Sequence, residues 1–156
     1  MIEVLVREPA WTRALPRARS LARRGAEAAA GRGAELTVVL ADDAAVGELN
    51  GRFRGARAPT NVLAFPAASG PGGSIGEVIL AFGVCAREAA AQGKTLADHM
   101  RHLTIHGVLH LMGYDHQSDE EAEHMEALEA RALATLGVID PYRHVLQAGD
   151  HVQHGR

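Results

Sequence analysis

The sequence predicts an α+β domain, a small mixed β-sheet with several helices packed on it. Three observations lead there. Hydrophobic periodicity orders the elements β-α-β-α-β-β-α-α-α, with strands in the first half and helices dominating the second. The 156 residues suffice for one domain whose core needs no disulfide. Hydrophobic residues make up 47% and charged residues 22%, the proportions of a soluble globular chain.

Each element has its own signal. "IEVLVR" alternates Ile2, Val4 and Val6 and reads as a strand. Residues 17–30, "RARSLARRGAEAAA", have helix-forming composition and basic charge. Residues 35–41, "ELTVVLA", are β-branched and form a second strand. Residues 42–53, "DDAAVGELNGRF", open on an acid able to cap a helix. Residues 61–66, "NVLAFP", are a short strand closed by proline, and 67–73, "AASGPGG", a connector. Residues 76–82, "GEVILAF", are the fourth strand, expected to pair with the third. "VCAREAAAQGK" and "TLADHMRHLTIHGVLHLMG" are two helices broken near Gly93. "SDEEAEHMEALEARALATLG" is the last long helix, with Ser118 and Glu121 as a capping box and Met125, Leu128, Ala132 and Leu136 as its core face. The domain is expected to span 1–142, and the polar stretch 143–156 to be a flexible tail. No internal repeat is apparent.

Charge and cysteine content bound the function. Net charge is −3, which does not announce a nucleic-acid binder. It is uneven: residues 1–61 carry ten Arg against seven acids, and 62–156 carry six bases against twelve acids. Fifteen of the sixteen basic residues are Arg, a side chain that grips phosphate with a planar fork. This is a weak pointer to an anionic partner, since Arg is also common in some proteomes. Arg13, Arg17, Arg19, Arg23, Arg24 and Arg32 read foremost as a solvated surface, with contact to RNA as the alternative. The start, "MIEVLVREPAW", lacks the pattern of a secretory leader, and no apolar run approaches a membrane span. The lone Cys85 cannot form an internal disulfide, so a cytoplasmic location is expected, with Cys85 as a small buried residue.

The chemistry gathers in "HGVLHLMGYDH", residues 106–116. His99, His102, His106 and His110 fall within an arc of about 80° on one helix. Both His102 with His106 and His106 with His110 have the i, i+4 spacing that points two imidazoles at one ion. The residues after His110 select the second pair. Gly113 can end the helix in a left-handed turn, and the reversed chain brings His116 back as a third ligand. H-x-x-x-H-x-x-G-x-x-H is the ligand spacing of the metzincin peptidases. Three neutral imidazoles leave a fourth position of tetrahedral zinc open, as catalytic sites do. In those peptidases the residue after the first histidine is a glutamate that acts as base; here it is Gly107. Without that base the site is expected to act on a substrate that brings its own charge, such as a phosphodiester. Arg52, Arg54 and Arg57 stand just before the third strand and offer cations for one, and Gly55 beside Arg54 lets backbone approach a ligand.

"FRGARAPTNVLAFP", "GEVILA" and "HLTIHGVLHLMGYDH" together resemble the YbeY family of bacterial endoribonucleases, over about residues 36–142. The resemblance implies one zinc ion on His106, His110 and His116, Arg54 as the functional arginine meeting phosphate, and the metal-binding helix at the centre of an α+β fold. It implies single-strand cleavage of RNA in maturing the 3′ end of small-subunit ribosomal RNA, and a part in ribosome quality control. The partners implied are ribosomal RNA, the small ribosomal subunit and other ribosome-associated proteins. The family's usual Gly-Asp-Ile is Gly76-Glu77-Val78 here, and Ala64 stands where Ser is common. Two other readings stay open: another metallohydrolase, and a ribosome-associated binding factor with a structural zinc.

Lesser candidates surround the motif. Asp115 is expected either to orient His116 or act as a base, or simply to form the turn. His102 is expected to support the site or face substrate, with a plain helix-surface position as the alternative, and His99 to have no part in it. His124 sits in a run of seven acids, Asp115 to Glu129, read as a solvated helix start without a metal. Met100, Met112 and Met125 are expected in or near the core.

Overall fold

The computed structural model describes residues 1–55, 60–67 and 73–138, the Arg54 side chain excepted. A four-stranded sheet has the order β1-β2-β4-β3, from β1 (Ile2–Val6), β2 (Leu36–Ala41), β3 (Val62–Pro66) and β4 (Gly76–Ala81). β1, β2 and β4 run parallel; β3 pairs antiparallel to β4, with Leu63 opposite Ile79. The expected mixed sheet and α+β class are what the structure has.

Side-chain alternation divides the core. Ile2, Val4, Val38, Leu40, Val78 and Leu80 turn to one face. There they meet α2 (Ala18–Ala30) through Ala18, Ala22 and Ala26, and α5 (Leu96–Leu111) through Met100, Leu103 and Val108. Ile79, Ala81 and Leu63 turn to the other face, against Val46 and Leu49 of α3 (Asp43–Arg54). α6 (Asp119–Thr135) forms an outer layer on α2 and α5, joined by Ile105, Leu109, Met125, Ala132 and Leu133. α5 is thus covered by sheet on one side and by helices on others, which makes it the central helix.

The helix starts follow the sequence signals. Asp42 accepts from the Ala45 N–H at 2.7 Å, Thr95 from Asp98, and Ser118 and Glu121 close their capping box. Two elements differ from expectation. A five-residue helix, α1 (Ala10–Ala14), follows β1. It is too short for periodicity to register, and tertiary contacts hold it. Trp11 is fully buried, donates from Nε1 to the Ala41 carbonyl at 3.0 Å and meets the Phe82 ring edge-on at 5.2 Å. Phe82 is not the end of a strand: α4 (Phe82–Gln92) begins directly after β4. Asp43 explains the early start, since its carboxylate accepts from the Val84 N–H at 3.1 Å and pairs with Arg87.

Met100 and Met125 are buried as expected, whereas Met112 is 45% exposed, because it caps α5 where the chain leaves the core. Cys85 is buried, and burial pushes its thiol well above the usual range. Residues 143–156, with the middle of the 67–73 connector and Arg57, lie outside the described residues.

Candidate metal centre

α5 is built to carry the site. It has no proline, its first turn is capped by Thr95, and three of its sides are committed to packing. The remaining side carries His102, His106 and His110 in successive turns toward α6 and the cavity. Gly107 lies on the sheet side. A Cβ there would sit 2.6 Å from Val78 Cγ1 and 3.3 Å from Val62 Cγ2. The glycine therefore has a packing reason beyond the missing base: it lets α5 approach β4 and β3 at this level.

The turn after α5 returns the third histidine. Gly113 has φ of 99°, a conformation that favours glycine, and the Tyr114 N–H reaches back to the Leu109 carbonyl at 3.1 Å. The Asp115 carboxylate then accepts from the His116 backbone N–H at 2.7 Å, the local bond of a turn-forming Asp. Ring centroids of His106, His110 and His116 lie 4.8–5.5 Å apart. One nitrogen from each falls within 4.8 Å of the other two, close enough for small ring rotations to close all three on one ion. Among the described residues this is the only such His, Cys, Asp or Glu group. Burial, and then the neighbouring His106 and His116, push the His110 imidazole below its ordinary pKa, so its lone pair is available near neutral pH. Three imidazole donors without a thiolate could hold a metal ion and leave a further coordination position open.

Glu129 completes the layer behind the histidines. It comes from α6, is 1% exposed, and uses both oxygens: Oε1 lies 2.8 Å from His102 Nε2 and Oε2 2.5 Å from His106 Nδ1. Burial alone would raise its pKa, but hydrogen bonds from the two imidazoles outweigh that and hold it at about 2. Sequence reasoning missed Glu129 because it counted it within a solvated acidic run. A signal was there: Glu129 stands four residues after Met125 and three before Ala132, on the helix's own apolar face. His99 is not in the cluster, as expected, but it is buried rather than on the surface. Its Nε2 lies 2.9 Å from Glu88, which also accepts from Asn61. His124 is exposed, beside Tyr114.

The three histidines open into a cavity of about 910 Å³. α3 contributes Asn50, the stretch 60–66 around β3 contributes Thr60 to Ala64 and Pro66, and α4 contributes Val84, Glu88 and Gln92. His102, His106, Gly107 and His110 form the α5 wall, with Asp115 and His116 from the turn. Arg54 ends α3, one turn beyond Asn50, and Gly55 follows in the left-handed conformation. The exposed arginines Arg13 of α1, Arg17 at the start of α2, and Arg19, Arg23 and Arg24 of α2 do not line the cavity. Among the described residues no helix is long and apolar enough to cross a membrane.

Comparison with known proteins agrees with this picture. Residues 10–137 match the family model described as Endoribonuclease YbeY. A Paramagnetospirillum magneticum protein called Endoribonuclease YbeY is 54% identical over 150 residues, covering 86% of this chain and 90% of that protein. An Azorhizobium caulinodans protein of the same name is 47% identical, covering 90% of this chain and 95% of that one. A Thermotoga maritima protein of known solution structure superposes with a TM-score of 0.56 at 24% identity, covering both chains fully. That likeness speaks for the fold alone.

Proposed function

The chain belongs to the YbeY endoribonuclease family, and from that premise we propose that it is a zinc-dependent, single-strand-specific endoribonuclease of the cytoplasm. Its substrate in this reading is ribosomal RNA, cut in maturing the 3′ end of the small-subunit RNA and in ribosome quality control. The observation that carries the reading is the His106, His110 and His116 cluster, open to a cavity of about 910 Å³.

His106, His110 and His116 would hold the ion. When bound, zinc supplies a Lewis acid for a phosphoryl oxygen and an activated water. The chain's own residues do the rest. Gly107 brings no base, so substrate charge and neighbouring groups must govern proton transfer. Asp115 holds the turn and borders the cavity, and in this reading its carboxylate is the proton acceptor. Arg54, at the end of the α3 wall, balances the charge that develops on phosphate. Asn50, Thr60 and Asn61 line the same cavity and give it a polar wall, suited to an RNA backbone.

Single-stranded ribosomal RNA offered to zinc-loaded, metal-stripped and re-zinced protein tests the reading. Cleavage is expected from the first and third only. Equal cleavage by all three overturns zinc dependence, and cleavage by none overturns the nuclease. Arg54→Ala should reduce cleavage about 100- to 1,000-fold while zinc content per chain stays the same. Full activity in that variant removes Arg54 from the mechanism.

A further inference from the structure

We propose that Glu129 is the positioning residue of the metal centre: from α6, it holds His106 with its proton on Nδ1 and so aims the Nε2 lone pair at the ion. The inference rests on the zinc reading above and deepens it.

Glu129 is out of place in its packing environment. The α5–α6 seam is apolar, formed by Ile105, Leu109, Met125, Ala132 and Leu133. A carboxylate placed among them carries a large desolvation cost unless its oxygens are paired, and an apolar side chain of similar volume would often serve stability as well or better. Packing therefore gives no reason for Glu129. Its partners do. Both oxygens go to imidazoles on the cavity side of α5. An ionised carboxylate only accepts hydrogen bonds, so each facing ring nitrogen must carry a proton. For His106 that nitrogen is Nδ1, which leaves Nε2 unprotonated as the ligand atom. A carboxylate behind a ligating imidazole fixes its tautomer and its ring orientation and raises its basicity.

His102 is the second anchor. It stands one turn before His106, and its bond to Oε1 stops the carboxylate from rotating about its own axis. With two bonds a turn apart, the position of Oε2 is set by the docking of α6 on α5 rather than by the Glu129 rotamer alone. The ligand on α5 is thereby aimed by a residue 23 positions later, across a helix interface.

Zinc affinity, read by competition with a chromophoric chelator, tests this without RNA. Glu129→Gln keeps the shape and removes the charge. Its zinc dissociation constant should rise about 10- to 100-fold. His102→Gln should raise it less, because Oε2 still reaches His106. A purely structural role would lower the melting temperature of the zinc-free protein and leave the affinity of the folded fraction unchanged. Affinity within twofold of the parent in folded Glu129→Gln overturns the proposal. Should that variant not fold, the zinc-free parent protein answers by itself. Its imidazole ¹⁵N–¹H correlations should show His106 as the Nδ1–H tautomer, and the Nε2–H tautomer there would overturn the assignment. Neither readout involves RNA, so a parent protein that binds zinc and cuts nothing overturns the nuclease reading alone.

Discussion

Gly107→Glu is expected to destabilise the protein strongly rather than make a peptidase of it. The substitution restores the residue that metzincin peptidases carry after their first histidine. In this chain the position faces the sheet. The Cβ alone would lie 2.6 Å from Val78 Cγ1 and 3.2 Å from Val78 Cγ2. Val78 cannot yield easily: it is a β-branched residue, fully buried, on β4, which is paired on both sides. Overpacking of this kind costs about 1–3 kcal/mol. The rest of the side chain must then push between Val62 and Val78 before its carboxylate reaches the cavity that Gly107 also borders, which adds a further ~1–3 kcal/mol of overpacking. Against a typical stability of about 5–15 kcal/mol, the sum removes a large part of the margin. Thermal melts should show a drop of about 10 °C or more, on the order of 2–4 °C for each kcal/mol in a domain this size. Gly107→Ala should show a smaller drop, since the helix gains roughly 1 kcal/mol from alanine while the same Cβ contact remains. A folded Gly107→Glu protein melting within about 2 °C of the parent would show that α5 does not depend on this close approach.

His110→Ala should abolish cleavage with little effect on the fold. His110 is the middle ligand, half-buried, with its ring turned to the cavity and not into an apolar cluster. Truncation therefore opens no core cavity, and the melting temperature of the zinc-free protein should change by no more than a few degrees. The site loses one of three donors, and with it the closed set that would hold the metal. A metal's contribution to phosphoryl chemistry is several kcal/mol, so cleavage should fall at least about 1,000-fold. This variant also exposes a contaminating nuclease, since such an activity would survive the change. Cleavage within tenfold of the parent, in zinc-verified preparations, would place the chemistry elsewhere.

The parts of the protein that were legible in its sequence share one property: their cause is local. Strand alternation in 35–41, the Asp42, Thr95 and Ser118 caps, and the glycine that turns the chain at 113 depend on neighbours within a few residues. So does the meeting of His106, His110 and His116, since a helix repeat and one turn suffice to bring them together. The features that stayed hidden have a distant cause. The helix α1 exists because Trp11 reaches the Ala41 carbonyl 30 residues on. α4 starts at Phe82 because Asp43, from another helix, satisfies its first turn.

The sequence by itself determined the α+β class, the three-histidine cluster and the absence of a glutamate at position 107. Only the tertiary structure decided why that position is glycine and which acid stands behind the ligands. Both depend on how α5 packs, against Val78 on one side and Glu129 on the other. The spacing of residues along a helix states which side chains share a face. It does not state what that face will meet, because the opposing residues arrive from elsewhere in the chain and are placed there only by the closing of the core.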